Sequence, residues 1–355
     1  MSDLPTNYLG AVIFWSYILA ALAFSGIAIH SIVNIKPTTT RPRNHDDSKQ
    51  DAQSLRLFTL LAALSFATLS GNMLHVLIHS FQHWHSALPS SLPHSHPPGQ
   101  PAPPTTWPSL IWHWSTTSAL FQDFAHAILA TPARRIWTFG ELGMAMAVCL
   151  HIGQEGRRRR VPRLYAFFAL SQILPVSFVQ DLFYLAVLRM DGGGVEAKGG
   201  SRSEGYVRDG GAGEKGLVVI STEWVNVTCL AYGACIVAAA CLLNVTGLLM
   251  PLVLLARLLL LAPRFLPLRL QAENPEKGEW ARTALPLIAL VMFGYASVLA
   301  VLDDDHGLSI PRALFSHPAV SSLGCDAVLS VISLALWKKI SAQAENTERL
   351  IEKSR

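Results

Sequence analysis

The sequence predicts an all-α protein: a polytopic membrane helical bundle of about seven transmembrane helices plus an interfacial or re-entrant helix. Three observations carry that prediction. Hydrophobic residues make up 51% of the 355 and charged residues only 15%, against about 25% charged in soluble domains. The mean hydropathy is +0.34, and the excess comes in blocks of about 20 residues, the length of a helix that crosses a bilayer core. The basic residues sit in short segments beside those blocks, which is how membrane proteins fix their orientation. The net charge of +4 is therefore no sign of nucleic-acid binding. A soluble enzyme, a secreted disulfide scaffold and a disordered tail are excluded. Cys149, Cys229, Cys235, Cys241 and Cys325 all lie in apolar stretches without a CxxC pair and read as small buried apolar side chains.

Residues 1–355 read as a single integral membrane domain. The first apolar block, Tyr8 to Val33, is too long for a signal-peptide core and has no basic segment before it, so it reads as an uncleaved span. A cytosolic loop is expected over 34–54, and a second span from Leu55 to His79. The loop 80–108 is rich in Pro and His and reads as extended. Ser109 to Ala130 is helical in pattern but carries His113, Gln122, Asp123 and His126. An Asp at the bilayer centre costs roughly 2.5–3.5 kcal/mol, so this stretch reads as the interfacial or re-entrant helix. Spans follow at Ile136 to Gly153 and Leu164 to Leu188, then a flexible Gly-rich loop over 190–217. Trp224 to Ala262 is too long for one span. It reads either as one helix kinked at Pro251 or as a hairpin turning at Asn244–Gly247. Thr283 to Leu302 and Ala319 to Trp337 complete the set, and 338–355 is a polar tail.

About seven crossings result if neither ambiguous stretch adds one, and about nine if both do. The N-terminal tail has no Lys or Arg, while the C-terminal tail opens with Lys338 and Lys339. That predicts a lumenal N-terminus and a cytosolic C-terminus. The expected location is the endoplasmic reticulum membrane.

An ionisable residue within a span is a functional candidate by default. Glu141, Asp181, Asp326 and Asp123 are such residues, and Glu223 opens the fifth span. Under the seven-span reading these acids gather toward one membrane face. Trp112, Trp114, Phe121, Phe124, Trp137, Phe183, Tyr184, Trp224 and Tyr295 share their levels. They read either as an interfacial belt or as a wall whose ring faces attract positive charge. His79, His83, His85, His94 and His96 cluster near one loop, but no second pair faces His75 and His79, so haem or transition-metal binding is disfavoured. Walker A, HExxH and GxSxG signatures are missing. Asp303-Asp304-Asp305 lacks the spacing that holds magnesium on a diphosphate.

Three stretches resemble the fungal membrane-bound terpene cyclases of the ascofuranone and macrophorin type. They are SALFQDFAHAI from Ser118, EGRRRRVPRLYAFFALSQILPVSFVQDLF from Glu155, and HPAVSSLGCDAVL from His317. The resemblance covers about 50 residues closely. It implies cyclisation of the isoprenoid tail of a meroterpenoid or other prenylated metabolite, without a metal or other cofactor. An acid would protonate an epoxide or a terminal alkene, and the cation would close rings along the chain. Matching positions are Gln122, Asp123 and Phe124 in the first stretch, Gln172, Pro175, Ser177, Phe178 and Gln180 in the second, and Asp326 in the third. The chain departs at His126, where Glu is common, and at Asp181, where Asn is common, so the resemblance assigns no acid role to Asp181. The expected catalytic acids are Asp123, Asp326 and Glu141. The expected substrate contacts are Gln122, Phe124, Gln180, Asp181, Trp137 and Glu223. The partners expected are a hydrophobic prenylated small molecule and the lipid bilayer, with no nucleic acid.

Overall fold

The structure is a computed structural model. It describes residues 7–35, 45–87, 106–118, 120–191, 217–220, 222–241, 246–265, 268–271 and 310–353. These residues form a helical protein in which four helices are long and apolar enough to cross a membrane. They are α1 (Tyr8–Val33), α2 (His45–Ala87), α5 (Pro132–Arg158) and α11 (Pro318–Lys353). Between α2 and α5 lie α3 (Trp107–Thr117) and α4 (Leu120–Leu129). After α5 come α6 (Leu164–Ser171), α7 (Val176–Asp191), α8 (Thr222–Cys241), α9 (Thr246–Leu261) and the short α10 (Ile310–Leu314).

Side-chain contacts fix the direction of each helix. Ser177 of α7 meets Asp326 of α11, Gln180 reaches Ser330, and Tyr184 stacks on Trp337, so α7 and α11 run parallel. The Tyr17 hydroxyl donates to the Ile173 carbonyl, and Arg189 Nη1 donates to the Ile32 carbonyl at 3.0 Å, so α1 runs the same way. His151 lies against Phe183 and Tyr184 while Glu141 lies against Asp326, which adds α5 to the parallel set. α2 runs opposite, because Phe58 meets Tyr184 and Trp337 whereas Phe66 meets Phe178. The end of the bundle that carries Arg157 to Arg160, Arg189 and Lys338 is called the arginine end below.

The expected fourth span, Leu164 to Leu188, does not form. Leu164 and Phe183 both crowd Gly156 near the arginine end, while Cys149 Sγ reaches Ser171 Oγ, at 3.4 Å, further in. α6 therefore runs against α5. The chain breaks at Gln172–Pro175, and α7 returns to the arginine end. Pro175 explains the break. It has no N–H to give and it pushes Leu174 out of helical geometry. Irregular backbone at this depth survives only inside protein, and here α1, α5 and α11 surround it. The turn into α6 is equally specific. Val161 N donates to Gly156 O (2.8 Å) and Arg160 N to Arg157 O (3.3 Å), the paired bonds of a helix end closed by a left-handed residue. Arg160 occupies that position at φ 55°.

Other elements also depart from their expected bounds. His45 to Ser54, assigned to the 34–54 loop, belong to α2, which also extends past His79 into the 80–108 loop as far as Ala87. The polar tail from Lys338 continues α11 to Lys353, since it has no helix breaker. Ser109 to Ala130 is two helices of 11 and 10 residues, each too short to cross, with an extended break at Ser118. Trp224 to Ala262 resolves into α8 and α9 packed on each other, with Pro251 inside α9. Met190 and Asp191, at the edge of the 190–217 loop, end α7. The all-α class gains one two-stranded antiparallel ribbon, β1 (Leu217–Ile220) on β2 (Leu268–Gln271), with Leu217 opposite Gln271. Tyr232 donates to the Leu142 carbonyl at 2.9 Å, which ties α8 to α5. After α9, Pro263 sits against Gly153 and accepts from Arg157 Nη2 at 2.8 Å. Thr283 to Leu302, Tyr295 and Asp303 to Asp305 lie outside the described residues.

The core is apolar and aromatic, and it is centred on α7. Phe167, Phe183 and Tyr184 are wholly buried together with Phe58, Leu170 and Val179. Cys149, Cys229 and Cys235 are buried free thiols.

Candidate functional site

The first N–H groups of any helix lack partners within it. Those of α7 lie at the tip of the α6–α7 hairpin, deep in the bundle, and α11 supplies the acceptor. Asp326 Oδ2 accepts from Val176 N at 2.8 Å, and Oδ1 accepts from Ser177 N at 2.8 Å and from the Ser177 hydroxyl. Asp326 thus caps a helix to which it is not joined in sequence. The partial positive charge at the α7 N-terminus favours the anion there.

Glu141, on α5, lies beside this carboxylate. Ionised carboxylates only accept, so a hydrogen bond between the two requires a proton on one member. Asp326 already accepts three donors, which leaves the proton on Glu141. Both residues are 5% exposed, and Glu141 Oε2 is buried without a partner. The arrangement is a carboxyl group beside a fixed, capping carboxylate, shielded from water at the tip of a half-helix.

The other expected residues fall in different places. Asp181 is wholly buried on α7, one turn beyond Ser177, with the Ser333 hydroxyl beside it and, among the described residues, no donor at hydrogen-bonding geometry to either carboxylate oxygen. Gln180 is also wholly buried and donates to the Tyr184 hydroxyl at 3.0 Å. Trp137, one turn before Glu141, braces α5 against α10 and α11. Its Nε1 donates to Ile310 O at 2.9 Å and its ring lies over Gly324, where a Cβ would come within 3.0 Å of it. Asp123 and His126 are exposed on α4, while Phe124 is half-buried. That is the polar face of an amphipathic helix, and it keeps Asp123 at the surface. Arg134 Nη1 and Arg135 Nε cap the C-terminal carbonyls of α4, at Ala127 O (3.0 Å) and Leu129 O (2.9 Å). Gln122 and Glu223 have helical backbones, and their side chains are outside the described residues.

Two features lie outside what the sequence predicts. Trp337 lies flat on Tyr184, with centroids 4.4 Å apart and planes 2° apart, and Arg159 sits 6.0 Å above the indole. Glu155 holds Arg158 at 2.6 Å and also pairs with Arg159. The clue to Trp337 in the sequence is its spacing from Asp326, Ser330 and Ser333, which puts all four on one face of α11. The second feature is an open apolar groove of about 330 Å³, lined by Trp15, Trp107, Pro108, Ile111 and Trp112 between α1 and α3. None of the acids lines it. Among the described residues no three His, Cys, Asp or Glu side chains converge as a ligand set.

No protein-family model matches the sequence, and no curated protein or solved structure is significantly similar to it.

Proposed function

We propose that this chain is an integral membrane terpene cyclase in which Glu141 is the proton donor. In this reading, the Glu141 O–H bond breaks as a new bond forms from its proton to an epoxide oxygen or a terminal alkene carbon of an isoprenoid tail. Asp326 receives no proton. Fixed by α7, its negative charge stabilises the carbocation that forms. The carbocation closes rings, and the C–H proton lost at the end goes to the Glu141 carboxylate, which returns the count to the start, so the reaction is an isomerisation. The observation that carries the reading is the water-shielded Glu141–Asp326 pair, a Brønsted acid held among apolar helices where an isoprenoid would partition. The proposed setting is the endoplasmic reticulum membrane, with the N-terminus lumenal and the arginine end cytosolic, as positive-inside placement directs.

The test is expression in microsomes with a prenylated phenol, with and without a terminal epoxide. Cyclic product of unchanged mass is expected from the native chain. Glu141→Gln should lower its formation at least about 100-fold, in the upper range for loss of a general acid, while Asp123→Asn leaves it intact. Full activity in Glu141→Gln would remove the acid from the pair. The hairpin favours a second reading. Half-helices meeting inside a bundle are a device of transporters, and uptake of substrate into vesicles with no new product would favour transport.

A further inference from the structure

One turn beyond the acid pair lies a second set of buried polar atoms that the pair does not use. Asp181, Gln180, Ser330 and Ser333 are each 0% exposed. Both Asp181 carboxylate oxygens, Gln180 Oε1, Ser330 Oγ and Ser333 Oγ have no hydrogen-bond partner. Gln180 Nε2 is committed to the Tyr184 hydroxyl (3.0 Å) and the Ser330 carbonyl (3.4 Å), which leaves its amide oxygen as the free end. The Ser333 hydroxyl faces the Asp181 carboxylate. Because α7 and α11 run parallel, Ser177, Gln180, Asp181 and Tyr184 oppose Asp326, Ser330, Ser333 and Trp337 along a single seam.

The set offers oxygen atoms from one carboxylate, two hydroxyls and one amide, and among the described residues no nitrogen donor bonds to them. Buried polar groups are nearly always satisfied, and a buried carboxylate with only hydroxyls beside it is costly. Hard oxygen ligands of this kind suit alkali and alkaline-earth cations. The set carries one negative charge. A monovalent cation would leave it neutral, whereas a divalent cation would leave a net charge in an apolar interior. We propose that Asp181, Ser330, Ser333 and the Gln180 carbonyl form a sodium-ion site between α7 and α11. The ion ties the returning arm of the hairpin to α11. This site stands independently of the cyclase reading.

The test is the thermal midpoint of the purified full-length chain in detergent, titrated with sodium chloride against choline chloride at equal ionic strength. A ligand that binds only the folded state stabilises it in proportion to ln(1 + [L]/Kd). A saturable, sodium-specific rise in Tm of about 3–6 °C is expected. Asp181→Asn should abolish the sodium dependence. The Ser330→Ala, Ser333→Ala double variant, which keeps the charge, should raise the half-saturating sodium concentration at least about tenfold, or about 1.4 kcal/mol. Equal midpoints in sodium and choline for the native chain would overturn the site and mean that Asp181 carries its own proton. Sodium dependence that persists in Asp181→Asn would also overturn it.

Discussion

At the scale of single residues, Asp326 and Glu141 are both carboxylic acids, but they tolerate amide substitution very differently. Asp326 uses both oxygens as acceptors for Val176 N and Ser177 N. An amide has one oxygen, so Asp326→Asn turns an NH2 group toward a buried N–H and leaves that donor unsatisfied. The expected loss is about 2 kcal/mol, read as a lowered midpoint in denaturant or heat. Glu141 acts as the donor of its pair, and Gln preserves a donor of the same shape. Glu141→Gln should stay within about 1 kcal/mol of the native chain, which makes it a clean probe of chemistry. The reverse order of stabilities would place the proton on Asp326. The sequence shows that Glu141, Asp181 and Asp326 are unusual, because acids in apolar stretches stand out. It does not show that Glu141 and Asp326 touch, because they belong to different spans and nothing local joins them. Asp123 stood out for the same reason, yet the alternation of Asp123 and His126 with Phe124, Ala127 and Ile128 already carried the pattern of a surface helix.

At the scale of elements, helix ends decide much of what the bundle can do, and α11 begins on a titratable one. The His317 carbonyl accepts from Val320 N at 2.9 Å and Ser321 N at 3.0 Å, and its ring Nδ1 accepts from Ala319 N at 3.1 Å. An accepting Nδ1 requires that nitrogen to be unprotonated. Burial, then the charges of Arg134, His79 and His75, hold the His317 pKa below its ordinary value of 6.5, and the positive end of the helix opposes protonation too. A depressed histidine binds fewer protons folded than unfolded. Its contribution to stability is complete above pH 6.5 and is lost as pH falls through the lower folded value. The native chain should therefore lose thermal midpoint between pH 7.5 and 5.5. His317→Asn, which keeps a side-chain acceptor at the cap, should lose less. Equal losses would mean that His317 does not titrate against folding. Element ends were the least legible feature of the sequence. The arms of α2 and α11 beyond the apolar blocks are polar helix formers, so hydropathy marks the membrane limit and misses the helix limit.

At the scale of the whole molecule, the consequential difference from the sequence reading is one of direction. Leu164 to Leu188 has the length and apolarity of a span, and hydropathy cannot report that a chain reverses. Pro175 was visible, but a proline inside an apolar run signals a kink as readily as a turn. What separates the two is the partner set, which comes from far away in sequence: Cys149 for Ser171, Asp326 for Ser177 and Ile32 for Arg189. A straight span would put Arg160 and Arg189 on opposite sides of a membrane, whereas the hairpin puts them on the same side. Both are exposed. In a cysteine-free chain carrying either Arg160→Cys or Arg189→Cys, a thiol reagent that cannot cross the bilayer should label both positions from the same side of sealed vesicles. It should fail at both from the other side. Labelling of the two from opposite sides would restore the straight span. That result would also separate Ser177 from Asp326, and the buried acid pair could then not exist as described.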